Sequence, residues 1–515
     1  MDNIDILMND YAREFGSGTA TVECNIESAT KGGVGKLLSV SANVKSAQVD
    51  KSGDTAKIMA TLNCKVMFLN KAGEFDSFDY LCDFTGAING NDNLSLQDFN
   101  HLWAVCGVAD IDSGVAGEMI KIQSVVNIKI FGIYTAKCEI LTDMPENVVS
   151  KKCDVVTQTL INITEQNIEL EESFDTGCTV EKILYSDVTA MVNNAKTMDG
   201  KCLVSGNICG NISYLSEGVV TCKNFNTPFS EEIETSGMLE DDKANVFVKA
   251  TDCKIVLTGM EGDNVILLQV AVSVRIDNFR LEEKQVVSDV FLADYEIETE
   301  QDCCKYNVMD KTYNLFDKIV GNATVGDDMV AVSKVICTSL SRNIIVNTYY
   351  DEGKIVVEGV LAVNLVYLNI EGNTQSILIE LPYSLQFDEV MECTNKLLCA
   401  EAIVDNLYAK VKRDREFEVT ANISITVTAD SPIECKTIKA VTVTDIKKCN
   451  SYSIVIYNCK EGDELWDVAK AIGASMEQIV AQNNDLQGDL AGRKIVYYRQ
   501  INCWKSVLNS WKYWF

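Results

Sequence analysis

The chain has 515 residues, 47% hydrophobic and 23% charged, with Lys+Arg 45 against Asp+Glu 75 and a formal net charge of -30. That length allows several domains, and the composition is that of a globular protein. The acidity excludes nucleic acid and anionic membrane surfaces as main partners, and no apolar run is long enough to form a transmembrane segment.

The N-terminus, MDNIDILMNDYAREFG, is acidic and lacks a basic segment followed by an apolar core. No secretory signal is expected, and the chain is expected to stay in the cytoplasm. Its 20 cysteines are then expected to remain reduced and to fill small apolar positions on strands. Oxidative cross-linking in a mature assembly is the other use they would serve. None forms a Cys-x-x-Cys pair and His101 is the one histidine, so no metal site is expected.

Taken in chain order, 5–15 reads as a short N-terminal helix. Lys31-Gly32-Gly33-Val34-Gly35-Lys36-Leu37 superficially suggests a phosphate loop. It fails because Thr30 replaces the first glycine and Leu37 replaces the magnesium-binding hydroxyl.

Three segments then align at a spacing of about 150 residues, the size of one domain. Lys36-Leu37, Lys182-Ile183 and Lys334-Val335 open each copy. Phe68-Leu69, Tyr214-Leu215 and Tyr367-Leu368 follow, each ahead of a Gly-containing turn. Phe84, Phe229 and Tyr383 come next, the last two after Pro228 and Pro382. Val126–Ile130, Val270–Ile276 and Ile423–Val427 are alternating strands late in each copy. Val356–Tyr367 is β-branched and apolar, and reads as broken by a turn at Gly359. Only four prolines interrupt the whole chain.

Period-two patterning of this kind predicts a mainly β protein of three tandem antiparallel sandwich-like repeats. Their expected bounds are 1–142, 143–292 and 293–440, with a small joint near 293–300 and a short helix over 309–320.

A different pattern begins at Ser453. Ser453–Tyr457 reads as a strand leading to Gly462-Asp463-Glu464. Leu465, Val468, Ala469 and Ile472 have helical spacing, and Gly473 ends that helix. Ser475 caps a second helix carrying Ile479 and Val480. Asn483-Asn484-Asp485 forms a turn, and 493–498 returns as a strand. Residues 452–499 are thus expected to form a small βααβ domain, followed by an aromatic tail over 500–515.

That unit, with its Gly-Asp turn before the first helix and its Asn turn after the second, resembles a LysM domain. Three β repeats followed by one LysM unit resemble the clostridial spore-coat morphogenetic proteins, in which three SPOCS repeats precede a C-terminal LysM domain. The resemblance implies a non-enzymatic scaffold in the mother-cell cytoplasm, at the forespore surface and in the spore coat. Its LysM domain would dock onto the spore-coat morphogenetic ATPase, and its SPOCS repeats onto other coat or forespore components. The alternative is a wall protein whose LysM unit grips the N-acetylglucosamine of peptidoglycan.

The family pattern places the LysM groove between Gly462, Asp463, Glu464 and Leu465 on one loop and Asn483, Asn484, Asp485 and Leu486 on the other. Gly462 lets backbone approach a ligand, and Asp463 can cap the first helix. Leu465 and Trp466 read as core. Glu464 stands where LysM domains usually carry Thr. A carboxylate cannot donate as a hydroxyl does and resists burial under a sugar. It suits a Lys or Arg on a protein partner instead.

The tail holds three of the five tryptophans, Trp504, Trp511 and Trp514. Trp504, Val507, Leu508, Trp511 and Phe515 share one helical face. That face either folds back onto the chain or anchors a partner. With one histidine there is no Ser/His/Asp triad, so neither a catalytic role nor a cofactor is expected.

Overall fold

The computed structural model describes residues 4–499, apart from 28–32, 92–93, 118, 146–147, 259–264, 327, 389–396, 447–453, 484–485 and 487–488. The protein is mainly β. Six strands come first: β1 (Ile4–Glu27), β2 (Val34–Ser52), β3 (Thr55–Asn70), β4 (Phe75–Asn89), β5 (Phe99–Ala116) and β6 (Met119–Leu141). They form two antiparallel sheets, β1-β6-β5 and β2-β3-β4. The next six are β7 (Val149–Asp175), β8 (Lys182–Met198), β9 (Lys201–Ser216), β10 (Val219–Glu234), β11 (Lys243–Thr258) and β12 (Val265–Phe291). Their sheets have the same order, β7-β12-β11 and β8-β9-β10. After them come β13 (Tyr295–Thr324), β14 (Val332–Asp351), β15 (Lys354–Asn369), β16 (Thr374–Phe387), β17 (Leu397–Arg413) and β18 (Glu416–Ile446). These pair as β13-β18-β17 and β14-β15-β16.

Each pair of sheets encloses its own apolar core. Alternation explains why. Val270, Val272, Val274 and Ile276 are buried on β12, and Ile423, Ile425 and Val427 on β18, while Ser273, Arg275 and Thr426 between them stay partly exposed. The sequence landmarks fall at matching register positions. Leu37 pairs with Phe68, Ile183 with Tyr214, and Val335 with Tyr367. The first hairpin of each meander turns on a glycine at positive φ: Gly53, Gly200 and Gly353. Gly206 serves differently. It pairs with Phe229, and a Cβ there would lie 2.7 Å from the Phe229 ring.

Two hubs join the three sheet pairs. In the first, Leu7 and Tyr11 meet Val155, Val286, Tyr306 and Val308. Two buried amides lock it. Asn9 Nδ2 donates to the Asn307 carbonyl at 2.9 Å, and the Gln158 amide donates to Asn9 Oδ1 at 2.7 Å. Gln158 Nε2 donates to the Asp10 carbonyl at 2.9 Å, and its Oε1 accepts from the Met309 amide at 2.8 Å. In the second hub, Leu38, Met67, Leu184, Tyr185, Cys337 and Val366 pack together. Ser39 Oγ and Ser339 Oγ lie 2.9 Å apart there, buried. Cys138 and Cys304 form a disulfide at the first hub. This departs from the expectation that every thiol stays reduced, because the hub brings β6 and β13 face to face.

Three local expectations are corrected. Residues 5–15 belong to β1, with Leu7, Asn9, Tyr11 and Phe15 buried at even spacing. Residues 309–320 belong to β13, where Tyr313, Leu315 and Ile319 point inward. In both segments exposed apolar side chains (Ile6, Met8, Phe316, Val320) lie among the buried ones and hide the alternation. Gly359 lies inside β15 and pairs with Tyr383, so no turn breaks that strand.

Candidate functional site

The C-terminal unit runs β19 (Ile454–Asn458), α1 (Leu465–Ile472), α2 (Met476–Gln482) and β20 (Lys494–Tyr498). β19 and β20 pair antiparallel, with Ile454 opposite Tyr498 and Ile456 opposite Val496. The helices are short, and tertiary burial sustains them. Trp466, Val468, Ala469, Ile472 and Ile479 fill the core between helices and strands. Gly473, at φ 73, closes α1 in the left-handed conformation. Ser475 Oγ accepts from the Gln478 amide at 3.3 Å, and Gln478 Oε1 accepts from the Ser475 amide at 3.1 Å.

Gly462 is exposed at φ 86 in the turn that enters α1. Asp463 does not cap the helix. Its Oδ2 accepts from the Lys460 amide at 2.7 Å and so closes the preceding turn. Glu464 is the N-cap residue, and its amide donates to Asp467 Oδ2 at 3.0 Å. Its side chain reaches Lys151 Nζ on β7 at 2.6 Å. The Lys151 ammonium holds the Glu464 carboxyl below the usual carboxylate range. This carboxylate thus pairs with a lysine of the chain's own β7. Leu465 is partly buried against the unit's core, and Trp466 is buried in it.

The second loop divides. Asn483 is committed to structure: its Nδ2 donates to the Ile479 and Val496 carbonyls at 2.8 Å each, and its Oδ1 accepts from the Val496 amide at 2.9 Å. It joins the end of α2 to β20. Leu486 packs against the core. Asn484 and Asp485 lie outside the described residues, as do Trp504, Trp511 and Trp514 of the tail.

Sequence reasoning missed how the unit is seated. Asp289 on β12 accepts from the Trp466 indole N–H at 2.8 Å and from Lys470 Nζ at 2.8 and 2.9 Å. Burial alone would raise the Asp289 pKa, but the hydrogen bonds from Lys470 and Trp466 outweigh it and hold the group ionised. The Phe291 ring meets Trp466 edge-on at 5.3 Å. No local signal marks Asp289, because its partners lie 177 and 181 residues away in sequence. Also missed was the outward face of β19 and β20, where Ile454, Ile456 and Tyr498 are exposed.

Lys36 and His101 both have structural surroundings. Lys36 donates to the Thr374 carbonyl at 2.8 Å and to Gln375 Oε1 at 2.6 Å, tying β2 to β16. His101 is half-buried, 4.0 Å from Glu165. It lies beside Arg275, which stacks over Trp103 at 4.0 Å and pairs with Asp277. Among the described residues no helix is long and apolar enough to cross a membrane.

A family model described as "SipL, SPOCS domain" matches residues 179–258. The match spans β8 to β11 and supports a SipL-like sporulation protein. No curated protein and no solved structure matches significantly.

Proposed function

We propose that the chain is a non-enzymatic scaffold of spore-coat assembly, with three tandem SPOCS sandwiches and a C-terminal LysM unit. The observation that carries this reading is the SPOCS match over residues 179–258. Its support is the strand order of the matched sheets, which recurs in the sheets before and after them. The LysM unit docks onto the coat basement-layer ATPase at the forespore surface, from the mother-cell side. Many copies on one surface turn a modest contact into a firm one.

A protein ligand fits the unit better than a glycan. Glu464 is largely exposed, and a Lys or Arg on a basic protein loop could exchange with Lys151 for its carboxylate. Ile454, Ile456 and Tyr498 add an exposed apolar face on the strands of the same unit. A sugar placed over Glu464 would have to desolvate a carboxylate without donating to it.

The test is a fluorescent fusion followed in sporulating cells, with and without residues 447–515. The full chain is expected to form a shell around the forespore, and the truncated chain to spread through the mother cell. A shell that survives truncation would remove the C-terminal unit from the docking role.

A further inference from the structure

Both hubs between the sheet pairs are lined by thiols. In the first, the Cys138–Cys304 disulfide joins β6 of the first pair to β13 of the third, 166 residues apart. In the second, Cys222 of β10 and Cys337 of β14 are both free. Cys337 is buried among Leu38, Leu184 and Tyr185, and Cys222 packs against it, half-buried. Cys222 Sγ donates to the carbonyl of Ile336, the residue before Cys337, at 3.7 Å. Ser213 Oγ also lies 3.1 Å from Cys222 Sγ.

The two sulfurs are not equivalent. Hydrogen bonds from Cys337, from Ser213 and from the Thr338 amide pull the Cys222 thiol below its usual range against the cost of burial. The bond to Cys222 and burial push Cys337 well above that range. Two thiols of opposed character thus share one packed hub, as an attacking cysteine and its resolving partner do.

We propose that Cys222 and Cys337 form a second, peroxide-driven disulfide that joins the second sheet pair to the third. The Cys222 thiolate attacks one oxygen of hydrogen peroxide, the O–O bond breaks, and the departing hydroxide takes a proton to become water. Cys222 is then a sulfenic acid. The Cys337 sulfur attacks the Cys222 sulfur, the S–O bond breaks, and the hydroxyl leaves as water with the Cys337 proton. Two electrons pass from the two thiols to the peroxide. With Cys138–Cys304 already linking the first pair to the third, this bond makes the three sheet pairs one covalent body.

An internal control exists at the first hub. Cys153 packs there with Cys435, whose thiol burial pushes up to about 11. The test treats the full chain with graded hydrogen peroxide, blocks remaining thiols with iodoacetamide, and maps non-reduced peptides by mass spectrometry. A Cys222–Cys337 peptide, two hydrogens lighter than its parts, is expected at a dose about tenfold below that bridging Cys153 and Cys435, following thiolate character. Cys337→Ala should leave Cys222 trapped as a sulfenic acid that dimedone labels. The proposal is overturned if Cys222 and Cys337 are both alkylated at doses that oxidise the exposed Cys303, or if wild-type Cys222 reaches the sulfinic acid without a bridge.

Discussion

Lys151 Nζ on β7 lies 2.6 Å from Glu464 Oε2 at the N-cap of α1. This ion pair, with the Asp289 cluster, seats the C-terminal unit on the end of the second sheet pair. The residue expected to address a partner is thus already engaged, and a partner must compete for it.

The two contacts differ in strength. Lys151 and Glu464 are 39% and 67% exposed, so Lys151→Ala should cost below about 1 kcal/mol. Asp289→Ala strands the buried Trp466 indole N–H and should cost about 1–3 kcal/mol of docking. Hydrogen exchange of 465–472 checks this: much faster in Asp289→Ala, near wild type in Lys151→Ala. Unchanged exchange in Asp289→Ala would dismiss its seating role.

Docking should also weaken in acid. The folded Asp289 pKa is depressed, so its contribution is complete above the unfolded carboxylate pKa and is lost as pH falls through the lower folded value. Exchange over 465–472 should rise below about pH 4, and less so in Asp289→Asn, which has no charge to lose.

Asp430 behaves oppositely. Burial raises its pKa to about 6. A raised folded pKa favours stability below the unfolded value and removes that stability as pH rises through about 6. Asp430→Asn should therefore stabilise the chain at neutral pH, on the order of 2 kcal/mol, and flatten stability between about pH 4 and 6. Denaturant midpoints at the two ends of that window decide it; parallel pH profiles for mutant and wild type would refute it.

Gln158→Ala should loosen the first hub. It leaves the Met309 amide and the Asp10 carbonyl without their partner, at about 1–3 kcal/mol for each buried group. Limited proteolysis should then cut between sheet pairs faster than within them. Uniform resistance would place the strength of the hub in its apolar contacts alone.

Gly206→Ala should be worse. The new Cβ meets the Met191 carbonyl oxygen and the Phe229 ring together, so β8 or β10 must move. A loss of about 3 kcal/mol or more is expected, read as a fall in the denaturant midpoint. Gly107→Ala, where a Cβ meets nothing within 4 Å, is the control.

Strand patterning was legible wherever one face is core and the other solvent, as at 270–276 and 423–427. It failed at 5–15 and 309–320 because Ile6, Met8, Phe316 and Val320 are apolar yet exposed. The helix ends of the C-terminal unit were legible at Gly473 and Ser475, where capping chemistry is local. The tie that Asn483 makes between α2 and β20 was not, since nothing local to its amide marks that bond. The hubs were illegible altogether, since Asn9 and Gln158 are polar residues whose burial depends on a partner 149 residues away.

The most direct measurement immobilises the full chain and a version ending at residue 446, and offers each the purified coat ATPase and purified peptidoglycan. The account predicts that the full chain retains the ATPase, that the shortened chain loses it, and that neither holds peptidoglycan. Retention of peptidoglycan alone by the full chain, or equal retention of the ATPase by both, would contradict it.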